Sequence, residues 1–145
     1  MTTDVKVNLL HIGICTSDLQ RSLRFYTEAL GFVHEREVGE IGPPFDKLIE
    51  LPGQSLTAHH VSCDGLRLEL ISFSDVVGSG ERCPMNQLGF THMTLTVDDI
   101  EATCDRIEQF GGRAHRETQI DSPYGPIVFC TDPDGLRIEL MHPFG

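Results

Sequence analysis

The chain has 145 residues, 39% hydrophobic and 23% charged, a balance that suits a soluble globular fold and excludes a disordered one. A formal net charge of −11 at pH 7 argues against nucleic acid or an anionic membrane surface as partner, since both call for basic patches. No apolar run approaches the ~20 residues of a membrane span, the opening MTTDVKVNLL lacks the pattern of a signal peptide, and five cysteines without a CxxC pair read as reduced thiols in a cytoplasmic protein.

The first element is a strand near residues 10–15, where Leu10, Ile12 and Ile14 alternate with His11, Gly13 and Cys15. A helix follows, opened by a capping pattern of Ser17 and Gln20, with Leu19, Leu23, Tyr26 and Leu30 on one apolar stripe. Gly31 is the expected left-handed cap at its end. Extended pieces are predicted at 32–38, 47–51 and 56–62, and the turn Cys63-Asp64-Gly65 leads into the strand of DGLRLEL, residues 64–70. The loop at 38–47 and a Gly/Ser/Pro-containing linker at 74–88 complete this half.

The second half repeats the first. Residues 91–113 align with 10–32 at an offset of 81, placing His92 on His11, Asp99 on Asp18, Ile100 on Leu19 and Gly112 on Gly31. A strand holding Met93, Leu95 and Val97 leads into a helix capped by Asp98 and Glu101, with Ile100, Cys104 and Ile107 on its apolar side. Extended pieces follow at 113–118 and 126–131, and the turn at 132–135 feeds DGLRIEL at 134–140. Self-similarity of this kind marks a duplicated unit. The expected fold is α+β: a first βαβββ module over 9–73, a linker over 74–88 and a second module over 89–145, with the cupped mixed sheet spanning 9–142.

Alternation then assigns faces. Leu66, Leu68 and Leu70 must meet the helix, so Arg67, Glu69 and Ile71 face away; Arg137 and Glu139 repeat this in the second module. His11 and His92 likewise point away from the helices. A carboxylate on a half-buried sheet face is costly unless paired, solvated or metal-bound. Two histidines and two glutamates at repeat-equivalent positions, His11, Glu69, His92 and Glu139, therefore form a candidate site for one divalent metal. Nickel, cobalt, zinc, manganese and ferrous iron all accept nitrogen and oxygen donors of this sort. Weaker candidates for substrate contact are His59, His60, Arg67, Arg137, Cys15 and Phe73, whereas His34, His115 and His142 read as surface residues.

A strand-borne histidine, then DLQRSLRFYTEALGF, then DPDGLRIEL, resembles glyoxalase I and the wider vicinal oxygen chelate superfamily, which includes bleomycin-resistance proteins and extradiol dioxygenases. The resemblance implies paired βαβββ modules around one divalent metal, with the family's ligand positions falling on His11, Glu69, His92 and Glu139. It implies a lyase or isomerase that chelates two neighbouring oxygens of a small carbonyl substrate and stabilises an enediolate, with Glu139 as base and Glu69 as second proton-handling group. It also allows a site lying either within one chain or across two, and an exposed sheet edge in either module makes a homodimer the default. Glyoxalase I binds glutathione carboxylates partly through an arginine and an asparagine at the positions held here by Cys15 and Phe73, and Leu88 replaces another arginine, so a glutathione-linked substrate is not expected. Three alternatives stand beside this reading. An epimerase of an acyl-CoA, like methylmalonyl-CoA epimerase, usually has glutamine where Glu69 stands. A ring-cleaving dioxygenase would leave the Glu69 position open. A drug- or metabolite-binding protein would line the cup with aromatics, and this chain has no Trp and two Tyr.

Overall fold

A computed structural model describes residues 4–144, so the extreme start of the opening segment and Gly145 of the second module lie outside the described residues. In chain order the elements are β1 (Ile12–Cys15), α1 (Leu19–Arg24), β2 (Val33–Ile41), α2 (Phe45–Leu48), β3 (Leu56–Cys63), β4 (Leu66–Phe73), β5 (Met93–Thr96), α3 (Ile100–Gln109), β6 (Arg113–Ser122), β7 (Gly125–Thr131) and β8 (Arg137–Met141). They form two four-stranded sheets, ordered β1-β4-β3-β2 and β5-β8-β7-β6. In each, the first strand runs parallel to the last and the other pairings are antiparallel. The α+β fold and the duplication are as the sequence implied. Among the described residues, no helix is long and apolar enough to cross a membrane.

Several local expectations are corrected. Residues 47–51 are not extended: β2 runs on to Ile41, and a short helix and turns occupy the insertion before β3. The helix caps fall one residue later than predicted, with Asp18 accepting from the Arg21 N–H at 3.0 Å and Asp99 from the Ala102 N–H at 2.9 Å. Ser17 instead bridges to the second module, its N–H donating to Asp134 Oδ2 at 3.1 Å. Gly31 has the left-handed φ of +75°, but in the second module Gly111 takes that role (φ +95°). Gly112 serves close packing: a Cβ there would lie 2.6 Å from the Thr131 carbonyl oxygen and 2.7 Å from Phe25 Cε2.

The core is shared. Leu68 and Leu70 from β4, Ile138 and Leu140 from β8, Ile107 from α3 and Phe25 and Tyr26 after α1 belong to one buried cluster. Phe25 lies off the predicted stripe yet is fully buried. The reason is that α1 packs on its own sheet and ends in a turn of π-helix, Phe25–Ala29, which meets α3. Tyr26 donates its hydroxyl to Asp132 Oδ2 at 2.8 Å, and Arg106 donates to the carbonyls of Glu28 and Ala29. The modules thus pack through their helices, while β1 and β5 each end a sheet and do not pair with one another.

Candidate metal centre

The turn between β3 and β4 determines what faces Glu69. Asp64 and Gly65 have φ values of +49° and +78°, the two positive angles of a type I′ hairpin turn. A two-residue turn of this type fixes the pairing, Cys63 opposite Leu66 and therefore His60 opposite Glu69. Across the other edge of β4, Gly13 pairs with Glu69 in parallel register, and His11 lies two residues before it on the same face. Gly13 has no side chain, and a Cβ there would lie 3.3 Å from Ile71 Cδ1.

Three side chains converge there. The donor atoms of His11, His60 and Glu69 all lie within 4.8 Å of one another. His60 Nε2 donates to Glu69 Oε2 at 2.7 Å, and His11 Nε2 stands 3.7 Å from Glu69 Oε1. The imidazole centroids are 5.5 Å apart. His60 is buried and His11 and Glu69 are half-buried. Donors bound at about 2.0–2.2 Å to one ion lie at most about 4.4 Å apart, a spacing that His11 and Glu69 have already and that the trio approaches. His11 Nδ1 is buried without a hydrogen-bond partner. The donor types and their spacing fit a divalent cation.

The second module repeats the register without that third donor. Thr94 pairs with Glu139 and His92 lies two residues earlier, as His11 does before Gly13. Thr94 Oγ1 donates to Glu139 Oε1 at 3.1 Å, and His92 Nδ1 is 2.8 Å from Thr91 Oγ1. Opposite Glu139 is Phe129, whose ring meets that of His92 edge-on at 5.5 Å. Within one chain the four predicted ligands do not gather: His11 and Glu69 join His60, and His92 and Glu139 stand outside that cluster. A cleft of about 630 Å³ opens between the unpaired edges, with Gly13 and Cys15 on one side and His92 and Thr94 on the other.

The weaker candidates separate clearly. Of the His59-His60 pair, His60 faces Glu69, whereas His59 pairs with Leu70 on the helix side and hydrogen-bonds His34 at 2.9 Å. Arg67 is held by Glu35 at 2.6 Å, an ordinary rim ion pair. Arg137 donates to the Cys83 carbonyl at 2.9 Å and covers the Phe129 ring. Cys15 is exposed in the cleft, and Phe73 is half-buried at the far end of β4. Burial, then Asp134, pushes the Cys15 thiol up from its ordinary value, so it is a poor nucleophile. Of the histidines read as surface residues, His34 is exposed and His142 half-buried, but His115 is buried and bonded to Thr131 at 3.0 Å. The trio containing His60 was legible as a hairpin register counted back from Glu69 across Asp64-Gly65.

Comparison with known proteins agrees with this architecture. Residues 8–140 match the sequence profile of the Glyoxalase/Bleomycin resistance protein/Dioxygenase superfamily. A Synechocystis protein named "Probable lactoylglutathione lyase" is 31% identical, with 92% of this chain and 93% of that protein aligned. A Salmonella typhimurium protein named "Lactoylglutathione lyase" is 30% identical over 93% of this chain and 92% of its own. A crystal structure of a glyoxalase family protein from Bacillus cereus superposes with a TM-score of 0.83, covering 100% of this chain and 99% of that one at 19% identity.

Proposed function

The chain belongs to the glyoxalase/bleomycin resistance protein/dioxygenase superfamily, and on that basis we propose that it is a divalent-metal-dependent lyase or isomerase of glyoxalase type. The observation that carries the proposal is the repeated register. In both modules a histidine stands two residues before the strand partner of a glutamate, His11 with Glu69 and His92 with Glu139. The proposed ligands are these four residues, and the names of the relatives from Synechocystis and Salmonella typhimurium support a lyase of this type. The helix-mediated packing of the modules leaves β1 and β5 as free edges. A site built from His11 and Glu69 of one chain and His92 and Glu139 of a second copy is therefore the arrangement proposed. Exposed Leu9, Leu10, Leu88 and Phe90, beside those edges, are the apolar surface that a second copy would cover.

When bound, the cation supplies Lewis acidity that stabilises negative charge developing on two neighbouring substrate oxygens. Glu139 removes the proton from the carbon beside the carbonyl and returns it to the adjacent carbon. Thr94 holds one Glu139 oxygen and leaves the other to accept that proton. Glu69, with an imidazole opposite each of its oxygens, is positioned as the second proton-handling group. The proposed substrate is a small α-hydroxycarbonyl compound. Cys15 and Phe73 offer no cation or amide to a glutathione carboxylate, so a glutathione hemithioacetal should be a poor substrate.

The test is a turnover assay in deuterated water with metal-free protein reloaded with nickel, cobalt, zinc, manganese or ferrous iron. Metal-dependent conversion supports the proposal, with deuterium at the carbon that receives the proton marking exchange at the base, and no conversion with any of these cations overturns it. Fast conversion of the glutathione hemithioacetal would remove the substrate assignment alone. One other reading has an observation in its favour. Two histidines and a carboxylate, as in His11, His60 and Glu69, are the donors of ferrous oxygenases, and oxygen uptake with a catechol under ferrous iron would favour ring cleavage.

A further inference from the structure

The two modules differ at one position that their shared register makes equivalent. Opposite Glu139 the second module places Phe129, a hydrocarbon ring packed edge-on against His92. Opposite Glu69 the first module places His60, an imidazole whose Nε2 reaches Glu69 Oε2 at 2.7 Å. A buried imidazole is costly unless its nitrogen is used. On its own face of β3, His60 lies between Ala58, fully buried, and Ser62, half-buried, so its ring sits in a largely closed surface.

From this asymmetry we infer that His60 is itself a metal ligand. His11, His60 and Glu69 form a two-histidine, one-carboxylate site that holds a divalent cation within one chain, before His92 and Glu139 are added. The inference deepens the proposed function and rests on it for the identity of the site. The three donors already lie within 4.8 Å of one another, and Glu69 presents one oxygen to each imidazole. With three donor atoms this close, an ion there needs no second module to find three ligands. With His92 and Glu139 added, the protein supplies three nitrogens and two oxygens. A six-coordinate ion would then keep one position, and release of Glu139 to act as base would open the second that two neighbouring substrate oxygens need. The first module is accordingly the loading half of the centre and the second the completing half.

The experiment uses metal-free full-length protein titrated with cobalt(II), read by visible absorption and by the hyperfine-shifted, exchangeable imidazole N–H signals in the proton spectrum. Three such signals are expected in the wild type and two in His60→Phe, the residue of the second module at that place, with cobalt affinity falling by at least about 10-fold. His60→Asn, checked for native circular dichroism, gives the same answer should the larger ring disturb the fold. The double variant His92→Ala/Glu139→Ala is expected still to bind about one cobalt per chain, with two imidazole signals, and to lose it when His60→Phe is added. Two signals in the wild type that persist unchanged in both His60 variants would overturn the inference and leave the four-ligand proposal standing. Loss of all cobalt by the double variant would overturn the self-sufficiency of the first module. A wild type that binds no cobalt would overturn the inference and the proposed function together.

Discussion

Glu139 and Glu69 occupy equivalent strand positions but different surroundings. Glu139 accepts one hydroxyl hydrogen bond, from Thr94, and Glu69 is flanked by two imidazoles. If Glu139 is the base, Glu139→Gln keeps the shape and hydrogen-bonding capacity and removes proton acceptance. Its kcat should fall by about 10²–10⁴-fold with the fold intact, as a steady-state assay and circular dichroism would show. Two other histidines govern stability. Burial first, and His34 second, hold the His59 imidazole below its ordinary value; burial first, and Arg82 second, do the same for His115. Between those lowered values and the ordinary value of about 6.5 the unfolded chain binds more protons than the folded one, so stability rises with pH. Melting temperature should therefore drop as the buffer is taken from about pH 7.5 to pH 5. The slope should flatten in His59→Asn and His115→Asn; an unchanged slope in both would refute this account. His59 and His60 show how far residue-level reading reaches: alternation says that one of the two faces the glutamate, and the hairpin register says which.

At the scale of elements, the helices begin at single acceptors and end at glycines with distinct duties. Removing an N-cap by Asp18→Ala or Asp99→Ala should cost about 1 kcal/mol each, seen as a lower denaturation midpoint. Gly31→Ala imposes a Cβ at φ +75° in open space, a backbone cost of about 1 kcal/mol or more. Gly112→Ala meets the Thr131 carbonyl and the Phe25 ring, so overpacking of about 1–3 kcal/mol is expected there. A Gly112→Ala protein as stable as the wild type would show that α1 can move away from the second module. The predicted stripe on α1 was right about Tyr26 and silent about Phe25, because periodicity assumes one buried face. Here the π turn gives the helix two buried faces, one on its own sheet and one on the other module.

At the scale of the whole molecule, the modules are joined by buried polar contacts as well as by hydrocarbon. Tyr26 is fully buried and donates to Asp132, which also accepts the N–H groups of Asp134 and Leu136 at 2.9 Å each. Burial pushes the Asp132 carboxyl up from its ordinary value, and these three donors offset part of that rise. The linker is tied in as well, since a Cβ on Gly135 would lie 2.5 Å from the Gly80 carbonyl oxygen. With the modules tied in this way, β1 and β5 end their sheets without pairing with each other. If a second copy completes the site, Leu88→Asp/Phe90→Asp should shift the sedimentation profile from dimer to monomer and weaken metal binding, with circular dichroism unchanged. Cation in excess should raise the melting temperature with the logarithm of that excess, through about 2.7 kcal/mol of added stability at 100 times the dissociation constant, and chelator should reverse it.

The duplication, the βαβββ order, the helix-facing leucines and the outward glutamates follow from the sequence alone. Each is a local property, set by periodicity, by turn residues such as Asp64-Gly65 and by the repetition of DGLR-x-EL at Glu69 and Glu139. Which groups meet was decided by tertiary structure. Strand alternation has no information about whether two sheets share a cup or turn their helices inward together. The packing of Phe25, Tyr26 and Ile107 into one core places the histidine–glutamate pairs of the two modules apart within a chain. That same folding brings His60 against Glu69, a contact that depends on a hairpin register between strands and not on any spacing along one of them.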